Sequence, residues 1–368
     1  MASTSTGIEW TEATWNPVRG CSRVSPGCVN CYAEKIGARF SGPGKPYEGL
    51  ARWHTDSEGQ RHPRWTGALR FVPEALSDPL SWRKPRRIFV NSMSDLFHEK
   101  VSGGQIAAVF ATMAACPQHT FQVLTKRADR MAAWFRWMRE RVDAANADPA
   151  TGGGWTETRL LNLWAQQRSA PAGHPVISSV PWPLPNVWLG VSAEDQQRAD
   201  ERIPHLLDCP AAVRWISYEP ALGPVDFEPY MPVTGAYLGG PSDLAAEVGR
   251  PAISWIVVGG ESGDGARPFD VAWARSTIRQ CEAAGVACFV KQLGARPVWC
   301  SACRGRGFGF GRDFGVFECP ECGGDGSTFH EPGTAPDLRL RDPKGGDPGE
   351  WPADLRVRQF PGGGPWLT

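Results

Sequence analysis

The stretch Arg87-Ile-Phe-Val-Asn-Ser-Met-Ser-Asp95 decides the fold class, because a short apolar run stands directly before a group of polar side chains. The same arrangement returns in Thr120-Phe-Gln-Val-Leu-Thr-Lys-Arg127, and a helical pattern follows each run. Continuous apolar runs predict strands buried on both faces, and their alternation with helices predicts a parallel sheet covered by helices. The sequence therefore predicts an α/β protein.

Further apolar runs extend this alternation along the chain. The other predicted strands are Asn186–Ser192, Val213–Ser217, Ile253–Val258 and Ala287–Lys291, and the predicted helices include Ala33–Phe40, Gly104–Ala115, Ala128–Arg139 and Asp270–Ala284. Polar residues follow nearly every strand, as in the active site of a barrel, whereas a doubly wound sheet would concentrate them at one switch point. We therefore predict a full or partial (β/α) barrel, with the doubly wound sheet as the alternative.

The domain organisation follows from where this alternation is interrupted. We predict one barrel at 1–297, a small zinc-binding module at 298–330, and a C-terminal tail at 331–368 that docks on the barrel. Segments rich in Gly, Pro and Trp interrupt the barrel as loop insertions that shape a substrate pocket. They span 41–86, 140–185 and 228–250.

Charge and cysteine content limit the function classes. Acidic and basic residues balance at 39 each, so a nucleic-acid contact would have to be local. No apolar run is long enough for a membrane span, and no export signal begins the chain, so we expect a cytoplasmic protein without a membrane partner. Eleven cysteines include two clusters, which in a reducing compartment predict metal ligands rather than disulfides.

The first cluster comprises Cys21, Cys28 and Cys31, on a loop between a short strand and a helix. Three thiolates can bind three irons of a [4Fe–4S] cluster and leave the fourth iron open to a cofactor. The alternative is a zinc site with one histidine as fourth ligand. The candidate histidines are His54, His62 and His98.

The ending Cys28-x-x-Cys31-Tyr32 resembles the motif of the radical SAM superfamily. Most of the chain more closely resembles a phage-associated family with a three-cysteine motif. The motifs of this resemblance are Gly7–Thr11, Asn91–His98, Leu124–Arg127, Gly259–Gly263, Lys291–Gly294 and Lys344–Asp347. The resemblance to the radical SAM superfamily implies reductive cleavage of S-adenosylmethionine at the cluster and an electron donor such as flavodoxin or ferredoxin. The association with phage suggests a nucleotide or nucleic-acid substrate.

The resemblance to radical SAM barrels also implies roles for polar residues after the strands. Residues expected to bind the cofactor are Tyr32, Ser92, Ser94, Asp95, Arg127, Gly259, Gly260 and Glu261, and those expected to be catalytic are Lys126, Glu219 and Lys291. The serines and Asp95 would hold the methionyl amino group, and Lys126 with Arg127 its carboxylate. Glu219 would meet the ribose hydroxyls or the substrate.

Each of these residues also has a structural alternative. A loop cap or a surface ion pair explains the polar ones, and Lys291 could pair with Glu261 instead of binding an anion. The glycine-rich turn Gly259–Gly263 lacks the phosphate-binding fingerprints, so it predicts either close approach to adenosine or a plain tight turn.

The second cluster repeats Cys-x-x-Cys-x-Gly-x-Gly and resembles the zinc module of the J-domain co-chaperones. Its cysteines are Cys300, Cys303, Cys319 and Cys322. Two such knuckles predict a closed zinc site with four thiolate ligands. Arg304, Arg306 and Arg312 suggest phosphate recognition, while a structural staple and a second iron–sulfur cluster are the alternatives.

Two functions from different classes remain at this point. The first is a radical SAM iron–sulfur enzyme, and the second is a non-catalytic, zinc-dependent nucleic-acid-binding protein that uses both cysteine clusters structurally.

Replacing residues 298–330 with a short Gly/Ser linker is expected to preserve uncoupled S-adenosylmethionine cleavage, because the module follows the last predicted strand. If the module recognises the substrate, turnover of that substrate falls, as a product assay would show. Loss of soluble expression would identify a structural staple instead.

Overall fold

The computed structural model describes residues 6–168, 180–232, 251–299, 308–310, 316–318 and 340–362. Its strands are β1 (Ala13–Trp15), β2 (Val18–Arg19), β3 (Ala51–Thr55), β4 (Arg61–Trp65), β5 (Arg70–Phe71), β6 (Arg87–Val90), β7 (Thr120–Thr125), β8 (Val187–Ser192), β9 (Val213–Tyr218), β10 (Trp255–Gly259), β11 (Phe269–Asp270), β12 (Ala287–Gln292), β13 (Pro297–Val298), β14 (Phe308–Phe310) and β15 (Val316–Glu318). The four cysteines of the predicted zinc module lie outside the described residues.

The described helices follow the predicted alternation with strands. They are α1 (Tyr32–Arg39), α2 (Gly103–Ala114), α3 (Ala128–Ala147), α4 (Glu157–Arg168), α5 (Gln196–Leu207) and α6 (Val271–Ala284). None of these described helices is long and apolar enough to cross a membrane.

The main sheet has the strand order β1-β6-β7-β8-β9-β10-β12, which is also the order of these strands along the chain. A doubly wound sheet reverses its strand order at the switch point, and this order does not reverse. The prediction of an α/β protein with a parallel sheet is confirmed, and the strand order is compatible with a partial (β/α) barrel.

The chain divides into two compact units. The first comprises residues 1–191 and 202–214, and the second comprises residues 192–201 and 215–368. In the first unit, β1, β6, β7 and β8 pair in parallel. Helix α2 begins with a capping box between Ser102 and Gln105 and buries residues on all its faces, which fits a helix enclosed by the core.

The predicted insertion at 41–86 contains regular structure of its own within the first unit. Strands β3 and β4 form an antiparallel hairpin, and β5 pairs with β2. A glycine on α1 allows this hairpin to pack closely, because a Cβ on Gly37 would lie 2.7 Å from the ring of Trp65. The insertion is therefore fastened to the helix that follows the first cysteine cluster.

In the second unit, β9, β10 and β12 pair in parallel, and two buried tryptophans of neighbouring strands are in ring contact. The ring centroids of Trp215 and Trp255 lie 5.3 Å apart. Residues 340–362 cover β12: the amide of Val290 donates to the carbonyl of Val357 at 2.8 Å, and the amide of Gln359 donates to that of Cys288 at 2.8 Å. A strand edge is thereby shielded from pairing with other chains.

The scattered cysteines Cys116, Cys209, Cys281 and Cys288 are all buried, as expected for core thiols. Burial raises the pKa of Cys116 to about 12 and likewise that of Cys209 to about 12, because a thiolate there would lose its hydration. These thiols therefore stay protonated in the folded chain at neutral pH.

A raised thiol pKa makes stability fall at alkaline pH, because the unfolded chain releases the proton near pH 9 while the folded chain holds it until about pH 12. The unfolding free energy of the wild type is expected to fall as the pH rises from about 9 to about 11. That of Cys116→Ala is expected to fall by about 2 kcal/mol less over the same range. Urea titrations of the metal-free protein measure it. The control Val109→Ala, a buried truncation on α2, should show the same change of unfolding free energy with pH as the wild type. An equal change with pH in the wild type and Cys116→Ala would contradict the prediction.

Candidate metal and cofactor site

The chain enters the first cysteine cluster through a tight approach of backbone segments. Gly20 forms a parallel bridge with Ser94, just after β6. Its φ is +90°, and a Cβ there would lie 2.3 Å from the carbonyl oxygen of Ala68. Only glycine fits this position without rearrangement, so the residue before Cys21 is set by the backbone around it.

The loop from Cys21 to Cys31 folds back onto the first turn of α1. The guanidinium of Arg23 donates to Glu34 Oε1 at 3.0 Å and to the carbonyl of Val29 at 2.7 Å. Glu34 is only 1 % exposed and also accepts the Trp65 amide at 3.2 Å. This buried carboxylate therefore ties the cysteine loop, α1 and β4 together.

The three cysteines are partly exposed, and a polar group lies near each sulfur. Arg127 Nη1 donates to Cys21 Sγ at 4.0 Å, and Ser25 Oγ lies 3.9 Å from Cys28 Sγ. Cys31 directly precedes α1; burial raises the pKa of Cys31, and the amides of Ala33 and Glu34 oppose that rise. Such donors stabilise negative charge on a ligating thiolate.

The pKa values show that these sulfurs interact with one another. Burial raises the pKa of Cys21 to about 12, with Asp95 and Cys31 raising it further and Arg127 opposing them. Burial also raises the pKa of Cys31, and Cys28 adds to that rise. A bound cation would therefore have to displace the protons of Cys21 and Cys31.

Among the described residues, no group of three or more His, Cys, Asp and Glu side chains is arranged to hold one metal ion. The histidines of the zinc alternative have other neighbours. His98 is buried, with Nδ1 accepting from the Lys100 amide at 3.2 Å and Nε2 lying 2.8 Å from Ser22 Oγ. His62 Nε2 lies 2.8 Å from Asp56 Oδ2.

Arg127 and Asp95 form a buried ion pair beside the cysteine loop. Arg127 Nη1 donates to Asp95 Oδ2 at 3.0 Å, and the two side chains are 8 % and 7 % exposed. Arg127 also donates to Ser22 Oγ at 2.9 Å and to Glu99 Oε2 at 3.2 Å. The guanidinium of Arg127 is thus hydrogen-bonded to other side chains of the protein. Its binding of the cofactor carboxylate stays a prediction.

Asp95 accepts hydrogen bonds on both carboxylate oxygens. Oδ1 accepts from Thr125 Oγ1 at 2.7 Å and from the Phe97 amide at 2.9 Å, and Oδ2 accepts from the Lys126 amide at 3.2 Å as well as from Arg127. The carboxylate therefore fixes the segments after β6 and β7 to each other.

Ser92, Ser94 and Tyr32 tie the segment after β6 to the beginning of the chain. Ser92 Oγ donates to Asn16 Oδ1 at 3.2 Å, and Ser94 Oγ donates to the carbonyl of Val18 at 2.8 Å. Tyr32 donates to the carbonyl of Ser92 at 2.8 Å. These contacts fix the segment after β6 beside β2 and α1, and the predicted contacts of the three residues with a cofactor stay a prediction.

Lys126 differs from Arg127 in having its charge available. Its side chain is partly exposed, and its ammonium is close enough to Cys31 to lower the pKa of that thiol. Within the part of the chain that the structure describes, Lys126 has no carboxylate in ion-pair contact. It is therefore a suitable cation for an anionic ligand beside the cysteines.

The second unit brings together Glu219, Gly259 and Lys291. Lys291 Nζ donates to Glu219 Oε1 at 2.5 Å, and both side chains are mostly buried. A Cβ on Gly259 would lie 3.5 Å from Glu219 Cδ. Lys291 thus pairs with Glu219 and not with Glu261, which was the structural alternative.

Gly260 and Glu261 serve close packing in this unit. A Cβ on Gly260 would lie 2.5 Å from the Leu293 carbonyl oxygen, so only glycine allows the backbones after β10 and β12 to touch. Glu261 accepts from Arg267 Nε at 3.0 Å and Nη2 at 2.6 Å. A tight turn explains these contacts, and adenosine binding by this segment stays a prediction.

Sequence reasoning missed the residues that hold the site in place. Ser22, Glu99 and Thr125 contact the Arg127–Asp95 pair or the cysteine loop, and they precede or follow residues that were singled out. Thr125 lies in the motif Leu124–Arg127, which predicted importance without specifying contacts, whereas Ser22 and Glu99 lie outside the singled-out motifs.

Arg127→Met is expected to lower the free energy of unfolding by about 3 kcal/mol, because it leaves Asp95 as an uncompensated buried charge. Urea unfolding of the metal-free protein measures the change. Arg139→Met provides the matched control, since the Arg139–Glu157 pair involves an arginine side chain that is 61 % exposed. That control should cost less than about 1 kcal/mol. Equal effects of the two substitutions would disprove the role assigned to the buried pair.

The comparisons with known proteins identify a family. A family model described as "Protein of unknown function (DUF5131)" matches residues 5–308, which is most of the chain. Searches of the curated proteins and of the solved structures gave no match. The matched range includes the first cysteine cluster, the Arg127–Asp95 pair and the Glu219–Lys291 pair. The chain belongs to the DUF5131 family.

Proposed function

We propose that this protein is a radical SAM iron–sulfur enzyme whose [4Fe–4S] cluster is held by Cys21, Cys28 and Cys31. The observation that carries the proposal is that the three cysteines lie partly exposed on one loop, which the Arg23–Glu34 and Arg127–Ser22 contacts hold in place. Each cysteine of such a set binds a different iron, so the cluster needs three neighbouring thiols rather than three ligands on one ion.

The polar groups beside the sulfurs support a charged cluster over three ordinary thiols. Arg127 donates toward Cys21, Ser25 lies beside Cys28, and the first amides of α1 face Cys31. Hydrogen bonds to ligating sulfurs and partial burial are the means by which proteins tune such clusters. When bound with S-adenosylmethionine, the cluster supplies one electron that cleaves the sulfonium bond and gives a 5′-deoxyadenosyl radical.

The residues around the loop divide into those that position it and those that can contact a ligand. Arg127 and Asp95 position the loop, because their side chains are occupied by each other and by Ser22, Glu99 and Thr125. Lys126 is assigned to the methionyl carboxylate as a fixed cation near Cys31. This division keeps the cofactor at its predicted location. It assigns binding of the methionyl carboxylate to Lys126 alone and not to Arg127.

The Glu219–Lys291 pair keeps its expected catalytic role as part of this proposal, on the evidence of the second unit alone. A lysine and a carboxylate in direct contact, both largely removed from water, can hold a proton at a defined atom. The resemblance to a phage-associated family suggests a nucleotide or nucleic acid as substrate, and reduction of the cluster requires a donor such as flavodoxin or ferredoxin.

Anaerobic reconstitution with iron and sulfide tests the proposal. The wild type is expected to take up about four irons and, after reduction, to convert S-adenosylmethionine into 5′-deoxyadenosine and methionine. Cys28→Ala is expected to lose both the cluster and the cleavage while keeping its far-UV circular dichroism, because this loop cysteine contributes little to the core.

Cys209→Ala is the matched control, because it removes a buried thiol remote in sequence from the loop and should retain iron. Iron uptake with cleavage in Cys28→Ala would sink the assignment. A colourless wild type that binds zinc at the first cluster would instead favour the non-catalytic, zinc-dependent nucleic-acid-binding protein.

A further inference from the structure

The exposed β3–β4 hairpin places basic side chains directly opposite each other. In its register Arg52 pairs with Arg64 and His54 pairs with His62. Directly opposed residues of an antiparallel pair share one face, so these four basic side chains form a single surface, here called the basic face. Opposed like charges destabilise a hairpin, and an anion bound between them would remove that cost.

Nearby carboxylates contact two of the four residues of the basic face, His62 and Arg64. Asp56 lies at the turn, accepts the amides of Glu58 and Gln60, and contacts only His62 of the four basic residues. Glu34 is held by Arg23 and lies 3.9 Å from Arg64 Nη1. Within the described part of the chain, Arg52 forms no ion pair.

The surrounding sequence is locally cationic although the chain is neutral overall. Residues 34–71 contain seven Lys and Arg against four Asp and Glu, whereas the complete chain has 39 of each class. The chain as a whole therefore has no net charge, but the sequence around this hairpin has an excess of positive charge. Local positive potential of this kind attracts a polyanion.

The opposite face of the hairpin adds an aromatic contact. Ala51 and Trp65 lie on the side that packs against α1, but Trp53 on the same face is 39 % exposed. The guanidinium of Arg61 lies 5.4 Å from the centroid of the Trp53 ring. An exposed tryptophan beside an arginine offers a stacking surface for an unpaired base.

We propose that the β3–β4 hairpin binds single-stranded nucleic acid. The basic face of Arg52, His54, His62 and Arg64 contacts backbone phosphates, and Trp53, on the opposite face of β3, stacks on a base where the nucleic acid passes around this strand. Phosphate contacts supply most of the affinity of such surfaces, while stacking distinguishes nucleic acid from other polyanions. The proposal stands independently of the iron–sulfur assignment, because no cysteine takes part in it.

Fluorescence anisotropy with the full-length protein and a labelled mixed-sequence DNA strand of about 20 nucleotides tests it. Arg52→Ala/Arg64→Ala is expected to weaken binding about tenfold at low salt and to reduce the slope of log K against log salt by roughly 1.4, from two lost phosphate contacts. Arg83→Ala/Arg136→Ala removes the same charge at exposed positions elsewhere and should leave affinity within about twofold.

Inorganic polyphosphate and a duplex of the same sequence separate stacking from charge. Trp53→Ala is expected to weaken binding of the single strand about fivefold and to leave polyphosphate binding unchanged. The proposal is overturned if the wild type fails to bind the strand, if both arginine double variants lose affinity equally, or if Trp53→Ala has no effect. If the wild type binds DNA but does not bind the iron–sulfur cluster, the proposed function is refuted and the hairpin proposal is not.

Discussion

The buried ion pair between Arg127 and Asp95 is the interaction on which the arrangement of the first unit depends. It joins the segments that follow β6 and β7, and it extends through Ser22 to the loop that carries the three cysteines. A charge with this little exposure is tolerated only when its partner and its remaining hydrogen bonds are in place. The loop position is therefore coupled to the sheet by electrostatics rather than by apolar packing, which suits a partly exposed set of thiols.

This coupling explains why polar residues at the strand ends form hydrogen bonds within the protein, in addition to any contact with a ligand. Asp95 uses both carboxylate oxygens inside the protein, and Ser94 is bonded to the carbonyl of Val18. Residues of this kind hold neighbouring groups in a fixed geometry, which is what a cofactor site requires of its supporting shell. Lys126 is placed differently, since its backbone is fixed by Asp95 while its ammonium lies near Cys31.

The second unit relies on close backbone contact and on the segment that covers its sheet. Gly260 touches the carbonyl of Leu293, and the amide of Leu293 in turn donates to the carbonyl of Gly345 at 2.8 Å. Trp351 is buried and donates to the same carbonyl at 3.0 Å. The motifs Gly259–Gly263, Lys291–Gly294 and Lys344–Asp347 are distant in sequence, yet these contacts bring all three together. Packing requires glycine at Gly260, Gly294 and Gly345, whatever ligand the Glu219–Lys291 pair contacts.

The sequence by itself determined the α/β class, the parallel strands, the buried scattered thiols and the location of polar residues after β6 and β7. These follow from apolar periodicity and strand alternation, which are local properties of the chain. Only the tertiary structure decided which partner each polar group takes: Lys291 with Glu219, Arg127 with Asp95, and a basic hairpin inside the segment first taken as a loop. Partner choice depends on register and on contacts between residues far apart in sequence, which no local pattern specifies.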